Sequence, residues 1–272
     1  MRISEKFKEL MEKDEGALIG FITVGDPRPE DTVDIANSLI SGGIDILELG
    51  LPFSDPIADG PTIQRASERS LRNGINPDIY FEIVKKIDNK IPKVCLTYYN
   101  IVLKRGLEKF AQDCKDSGIL GLIVPDLPIE EAEPLLRECK RNHIDLIFLV
   151  APTTTEERLQ KIFKKASGFL YVVSLLGVTG TRKEFSKTIK PTLEKIKKSD
   201  PKIPLAVGFG ISKPEHVEKV MRAGAQGAIV GSAFIRIIEK NLDDRKKMQF
   251  KLKRFAYDLK KATVKINAQE YI

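Results

Sequence analysis

Between residues 44 and 60 the chain sets two carboxylates where apolar side chains would be expected. Ile44, Ile46 and Glu48 alternate along the apolar segment 44–49 and share one face, so a glutamate ends a row that belongs in a core. An unpaired buried carboxylate costs several kcal/mol, or it takes up a proton and becomes neutral. Asp59 follows eleven positions later, at the far end of a loop rich in proline and glycine that is able to fold back over the same strand end. An acid on a stiff strand and an acid on a loop form a candidate acid/base pair. Each also has a plain structural reading, Glu48 as a salt-bridged strand end and Asp59 as a turn residue in an Asp-Gly pair.

Two further loops have the composition of an anion grip. Val207-Gly208-Phe209-Gly210-Ile211-Ser212 follows one apolar strand, and Gly231-Ser232-Ala233 follows the next and opens a short helix. Glycines let backbone N–H groups approach an anion, and a helix N-terminus adds a favourable dipole. A third loop, Leu175-Leu176-Gly177-Val178-Thr179-Gly180-Thr181-Arg182, mixes glycines with hydroxyls and reads as a lid, or as a tolerated surface loop. Tyr98 and Tyr171 fall near strand ends and read either as an aromatic pocket wall or as core filler. His143 and His216 have no second histidine or cysteine at ligand spacing, so no metal site is expected.

The elements that must position these residues are short β-branched runs separated by amphipathic stretches. Strands are expected over residues 18–23, 44–49, 93–98, 120–124, 145–150, 169–174, 205–208 and 228–231. Helices are expected over 30–40, 77–87, 107–117, 130–141, 155–166, 188–198 and 214–223. Eight strands alternating with helices over this length predict an α/β fold, a (β/α)8 TIM barrel with an added N-terminal helix and a short extra helix after strand eight. A doubly wound sheet would need a Gly-rich dinucleotide turn after the first strand, and Thr23-Val24-Gly25-Asp26-Pro27 is not one. Ile3, Phe7, Leu10 and Met11 form a stripe expected to plug the barrel's N-terminal mouth, and Met248, Leu252, Phe255, Leu259 and Ala262 a last helix packed on its outside. No composition shift marks a boundary, so residues 1–272 read as one domain. In such a barrel the loops after the strands form the working face, where Glu48 and Asp59 both fall.

Composition narrows the function classes. Of 272 residues, 42% are hydrophobic and 31% charged, which suits a soluble domain. The net charge of +7 comes from lysines spread over most helices and interleaved with acids. That pattern reads as solvated helix faces that help attract an anionic small molecule, with no nucleic-acid partner. The odd number of cysteines, three without a CxxC, points to a reducing cytoplasmic setting. The first fifteen residues lack a secretory pattern, and no apolar run reaches the roughly 20 residues of a membrane span.

Taken together, these motifs resemble one family. The run Glu48-Leu49-Gly50-Leu51-Pro52-Phe53-Ser54-Asp55-Pro56-Ile57-Ala58-Asp59-Gly60-Pro61-Thr62-Ile63-Gln64 is similar to the signature of the tryptophan synthase alpha subunit. Residues 21–27, Val124 to Pro128 with Glu130-Glu131, Gly177-Val178-Thr179-Gly180, Gly208-Phe209-Gly210-Ile211-Ser212 and Gly231-Ser232-Ala233 agree in the same order, so the resemblance spans essentially the whole chain.

The resemblance implies a barrel lyase that cleaves indole-3-glycerol phosphate to indole and glyceraldehyde 3-phosphate. It implies Glu48 as general acid/base and Asp59 as the carboxylate that holds the indole N–H. It also implies Thr179 as the lid hydroxyl that meets Asp59, Tyr171 near the ring, and Phe21, Leu96 and Tyr98 in the indole pocket. Gly180, Phe209, Gly210, Gly231 and Ser232 match the phosphate grip. Phe169 stands where some members carry a second tyrosine, which implies one hydrogen bond fewer to the acid; Tyr99 and Pro125 replace smaller residues. The expected partner is a beta subunit, in a heterotetramer of two alpha and two beta chains. Pyridoxal phosphate is expected only in that subunit and no cofactor in this chain. A stand-alone indole-3-glycerol-phosphate lyase is the alternative.

Overall fold

The computed structural model describes residues 2–173, 182–198, 202–208 and 210–264. Among these the strands are β1 (Ala17–Thr23), β2 (Ile46–Gly50), β3 (Lys93–Leu96), β4 (Ile119–Ile123), β5 (Asp145–Ile147), β6 (Leu149–Val150), β7 (Leu170–Val173), β8 (Leu205–Gly208) and β9 (Gly227–Val230). They pair in parallel in the order β5-β4-β3-β2-β1-β9-β8-β7-β6. Only Phe148 separates β5 from β6, so the two edges of the sheet are halves of one extended segment. One half bonds β4 and the other β7, which closes a barrel of eight staves. The single strand expected over 145–150 is therefore split. Phe148 is where the stave changes partner, its carbonyl accepting the Tyr171 N–H at 3.0 Å.

The helices are α1 (Ile3–Glu12), α2 (Thr32–Ser41), α3 (Pro61–Arg72), α4 (Pro77–Lys85), α5 (Tyr99–Arg105), α6 (Leu107–Asp116), α7 (Glu133–Arg141), α8 (Glu156–Lys165), α9 (Arg182–Lys198), α10 (Pro214–Arg222), α11 (Ser232–Glu239) and α12 (Arg245–Lys261). Proline in the first turn starts α3, α4, α7 and α10, where a missing N–H removes no helical bond. Side chains of Asn76, Thr155 and Asp244 accept the N–H groups that open α4, α8 and α12. The helix α3 was not anticipated. Its buried face is Ala66, Ser67 and Ser70, too small and polar to register as an apolar stripe.

Strands covered on both sides bury nearly every residue, giving two cores. The outer core lies between barrel and helices. The inner core fills the barrel with Ile19, Ile46, Val94, Ile123, Ile147, Phe169, Ala206 and Ile229. Ile3, Phe7 and Leu10 of α1 belong to the inner core, with Phe7 against Phe169 at 5.7 Å between centroids, so α1 seals the N-terminal mouth. Met11 departs from expectation. It is 48% exposed, because a ten-residue helix standing on a barrel mouth presents only a narrow stripe inward.

Candidate active site

Strand register decides where Glu48 points. It pairs with Phe21 on one side and Val94 on the other, in the inward row that also contains Ile46. The β2 ladder ends at Gly50, so Glu48 lies at the C-terminal end of the inner core rather than among its apolar layers. The residue is 1% exposed, and its Oε2 is buried with no hydrogen-bond partner among the described residues. Phe169, fully buried against Phe7, brings no phenol to it. Burial, then the nearby charge of Asp59, pushes the Glu48 carboxyl up to about 8, so it holds a proton at neutral pH.

Asp59 is fixed by the loop that follows β2. Its N–H donates to Pro56 O at 3.0 Å, and Gln64 Nε2, one turn into α3, donates to its carbonyl at 2.8 Å. Tyr98 Oη donates to Asp59 Oδ2 at 3.0 Å and accepts the Ala58 N–H at 3.1 Å. The Tyr98 ring stacks on Phe53 with centroids 5.2 Å apart, so one tyrosine ties the loop to the end of β3. Burial raises Asp59 to about 6, while the bond from Tyr98 pulls the other way. Burial and the Asp59 charge in turn raise the Tyr98 phenol, which keeps it a donor. Two neighbouring carboxyls thus differ in environment, one buried with an oxygen that has no partner among the described residues, the other hydrogen-bonded. At neutral pH the first is an acid and the second a base or anion.

Phe21 lies across the same level, and its ring needs two glycines. A Cβ at Gly50 would stand 2.8 Å from the ring carbons and one at Gly231 3.2 Å away. Leu96 is half-buried, opposite Gly50 in the ladder. Tyr171 is buried over Gly208, where any Cβ would strike its ring. Burial and then the charges of Glu48 and Asp59 raise its phenol, which places Tyr171 within electrostatic reach of both acids.

Gly231 is the N-cap of α11 and Ser232 its first residue, so free N–H groups and the positive helix end face this mouth. Gly210 turns at a φ of +79° and is exposed. His216, given no role from sequence, has Nδ1 at 3.3 Å from the Ser212 N–H and 3.2 Å from Gly210 O, which orders the loop after β8. Gln64 was also missed. Only the i to i+4 spacing of Ser212 and His216 hinted at the former, and nothing local signalled the latter. Thr179, Gly180, Phe209 and the expected lid lie outside the described residues. No cluster of three metal-ligating side chains occurs among those described.

A closed parallel barrel with an acid, an anion and a helix N-terminus at the loop-bearing mouth defines a (β/α)8-barrel enzyme. The family model of the tryptophan synthase alpha chain matches residues 7–264. A tryptophan synthase alpha chain of Methanosarcina barkeri is 51% identical over 262 residues, covering 96% of this chain and 98% of that one. The Methanocaldococcus jannaschii alpha chain is 52% identical over 247 residues, covering 90% and 87%. The crystal structure of tryptophan synthase subunit alpha from Legionella pneumophila superposes with a TM-score of 0.88 at 36% identity, over 96% of this chain and 98% of that one. The chain belongs to the tryptophan synthase alpha chain family, and it is a lyase of tryptophan biosynthesis.

Proposed function

We propose that Glu48 and Asp59 carry out the retro-aldol cleavage of indole-3-glycerol phosphate at this mouth. Protonated Glu48 delivers its proton to the indole C3. Asp59, ionised, accepts the indole N–H and stabilises the positive charge that develops on the ring. The Glu48 carboxylate then takes the proton of the glycerol hydroxyl next to the scissile bond. As that oxygen forms C=O, the C–C bond breaks and its electrons return to the ring, giving indole and glyceraldehyde 3-phosphate. The net change is one proton moved from hydroxyl to C3, so the carboxyl ends as it began. Phe21, Leu96, Tyr98 and Tyr171 wall the indole, and Gly180, Phe209, Gly210, Gly231 and Ser232 hold the phosphate, with Thr179 closing on Asp59. The observation that carries this reading is the buried Glu48 oxygen, without a partner among the described residues, near a hydrogen-bonded aspartate.

The whole chain acts as one barrel domain in the cytoplasm. It pairs with a beta chain in an assembly of two alpha and two beta chains, and pyridoxal phosphate belongs to that partner alone. The Asp59 loop supports such a contact, since Ile57 is 82% exposed on it. The test is indole release from indole-3-glycerol phosphate, measured with and without an added beta chain. Release that rises with the beta chain is expected. No indole under either condition overturns the reaction, and release indifferent to a partner that fails to co-purify leaves a stand-alone lyase.

A further inference from the structure

Charge ties the base of α11 to the flank of α3. Arg65 meets Glu239, the last residue of α11, with Nε at 2.6 Å from Oε1 and Nη2 at 3.0 Å from Oε2. One turn on, Arg69 Nη1 approaches the same carboxylate at 3.4 Å, while its Nε and Nη2 donate to the two Asp26 oxygens at 2.6 and 3.0 Å. The Asp26 side chain is wholly buried. Farther along α3, Ser70 Oγ donates to Val24 O at 2.6 Å, and at its C-cap Asn73 Nδ2 donates to Pro27 O at 2.6 Å. One face of α3 therefore holds both the loop after β1 and the far end of α11.

Stability does not explain the Arg65–Glu239 arm of this arrangement well. Glu239 stands at a helix C-terminus, where the dipole disfavours an acid. Arg65 is about half exposed, and pairs of that kind contribute on the order of 1 kcal/mol or less. Placement explains it better. The helix α3 begins at Pro61, two residues after Asp59, α11 begins at the candidate anion site, and β1 carries Phe21. Three elements each bear one part of the site, and the network joins them away from it. Ser232 and Glu239 are seven residues apart, roughly 10 Å of helix. A shift at Glu239 thus swings the N–H groups at the other end.

We propose that Arg65 and Arg69 are positioning residues that, through Glu239 and Asp26, hold the anion-binding end of α11 in register with the Asp59 loop and β1. One substrate is then engaged at both ends together. This rests on the site reading above. Two weak half-sites joined by one ligand act together only when their spacing fits it, so loss of register penalises the whole substrate and spares its halves.

The test is Glu239→Gln in the full chain, with Arg65→Lys as a second variant should the first fold poorly. Turnover of indole-3-glycerol phosphate is measured beside calorimetric binding of two half-ligands, indole and glycerol 3-phosphate. The expected result is a fall of about 10-fold in kcat/KM, with both half-ligand affinities held within about twofold of the parent. A kcat/KM within twofold overturns the inference. So does weakening of the half-ligands by the same factor as the substrate, which would mean general loosening. A parent protein that binds neither half-ligand and releases no indole would instead remove the underlying site reading.

Discussion

Lys93 and Glu48 are both buried ionisable residues on neighbouring parallel strands, and they do opposite things. Lys93 is fully buried at the N-terminal start of β3, with its Nζ donating to Val84 O, Ile87 O and Ser117 O at 3.0, 3.2 and 2.9 Å. These carbonyls lie at or just past the C-terminal ends of α4 and α6, where the helix dipoles favour a cation. Glu48, near the opposite end of β2, keeps a buried oxygen without a partner among the described residues. Burial moves both toward the same value, Lys93 down to about 8 and Glu48 up to about 8. A perturbed pKa, caused first by desolvation in both, therefore does not by itself mark a reactive group. Under the proposed function, hydrogen-bond completion is what separates the structural group from the reactive one.

The sharpest way to break that contrast is Glu48→Gln. Indole release should fall by about 10³-fold or more, given what a positioned acid/base contributes, while the fold is retained. Activity within tenfold of the parent would erase the distinction. Lys93→Met is the counterpart. It leaves three buried carbonyls without their donor and should cost roughly 2–3 kcal/mol, read as a lower Tm, with kcat of the folded protein unchanged within about twofold. A catalytic defect at unchanged stability would reverse the assignment of the two residues.

Tyr98→Phe removes the donor to Asp59 and should lower kcat/KM by about 10-fold at pH 6.5. Because that bond holds Asp59 down, its loss should also move the acidic limb of the pH profile upward; an unmoved limb would dissociate Tyr98 from Asp59. In the parent, kcat/KM should be bell-shaped. It declines below about 6 as Asp59 gains a proton and above about 8 as Glu48 loses one. Both limbs describe the coupled pair rather than either residue alone.

The smallest effect is on stability. The folded pKa of Glu48 is raised above its ordinary 4.5, so the native state binds more protons than the unfolded one between 4.5 and about 8. Its contribution is present below 4.5 and lost as pH rises through that window. Glu48→Gln should therefore raise Tm by a few degrees at pH 8 and by almost nothing at pH 4.5. A gain that shrinks with rising pH would contradict the raised pKa.

Much of this was legible in the chain because parallel strands buried on both faces must be apolar throughout, which makes an interruption such as Glu48 conspicuous. The alternation of strands and helices and the glycine loops before α10 and α11 were readable for the same local reasons. The helix α3 was not, since small polar residues form its buried face, so Gln64 was given no role and Arg65 and Arg69 were not singled out. Met11 read as part of the barrel plug because periodicity reports a stripe but not how wide a surface meets it. Nor could sequence distinguish Lys93 from a solvent lysine, because its three acceptors lie at and just past the ends of two helices.

The linear order of residues fixed which side chains face inward, since a strand's period of two is a local property, and it fixed the barrel through the repetition of strand and helix. Tertiary packing brought Tyr98 to Asp59 across the β2–β3 pair, set Phe21 between Gly50 and Gly231, and left one buried oxygen of Glu48 without a partner among the described residues. Whether a buried polar atom finds a partner depends on what distant segments place beside it, and that is a matter of three dimensions.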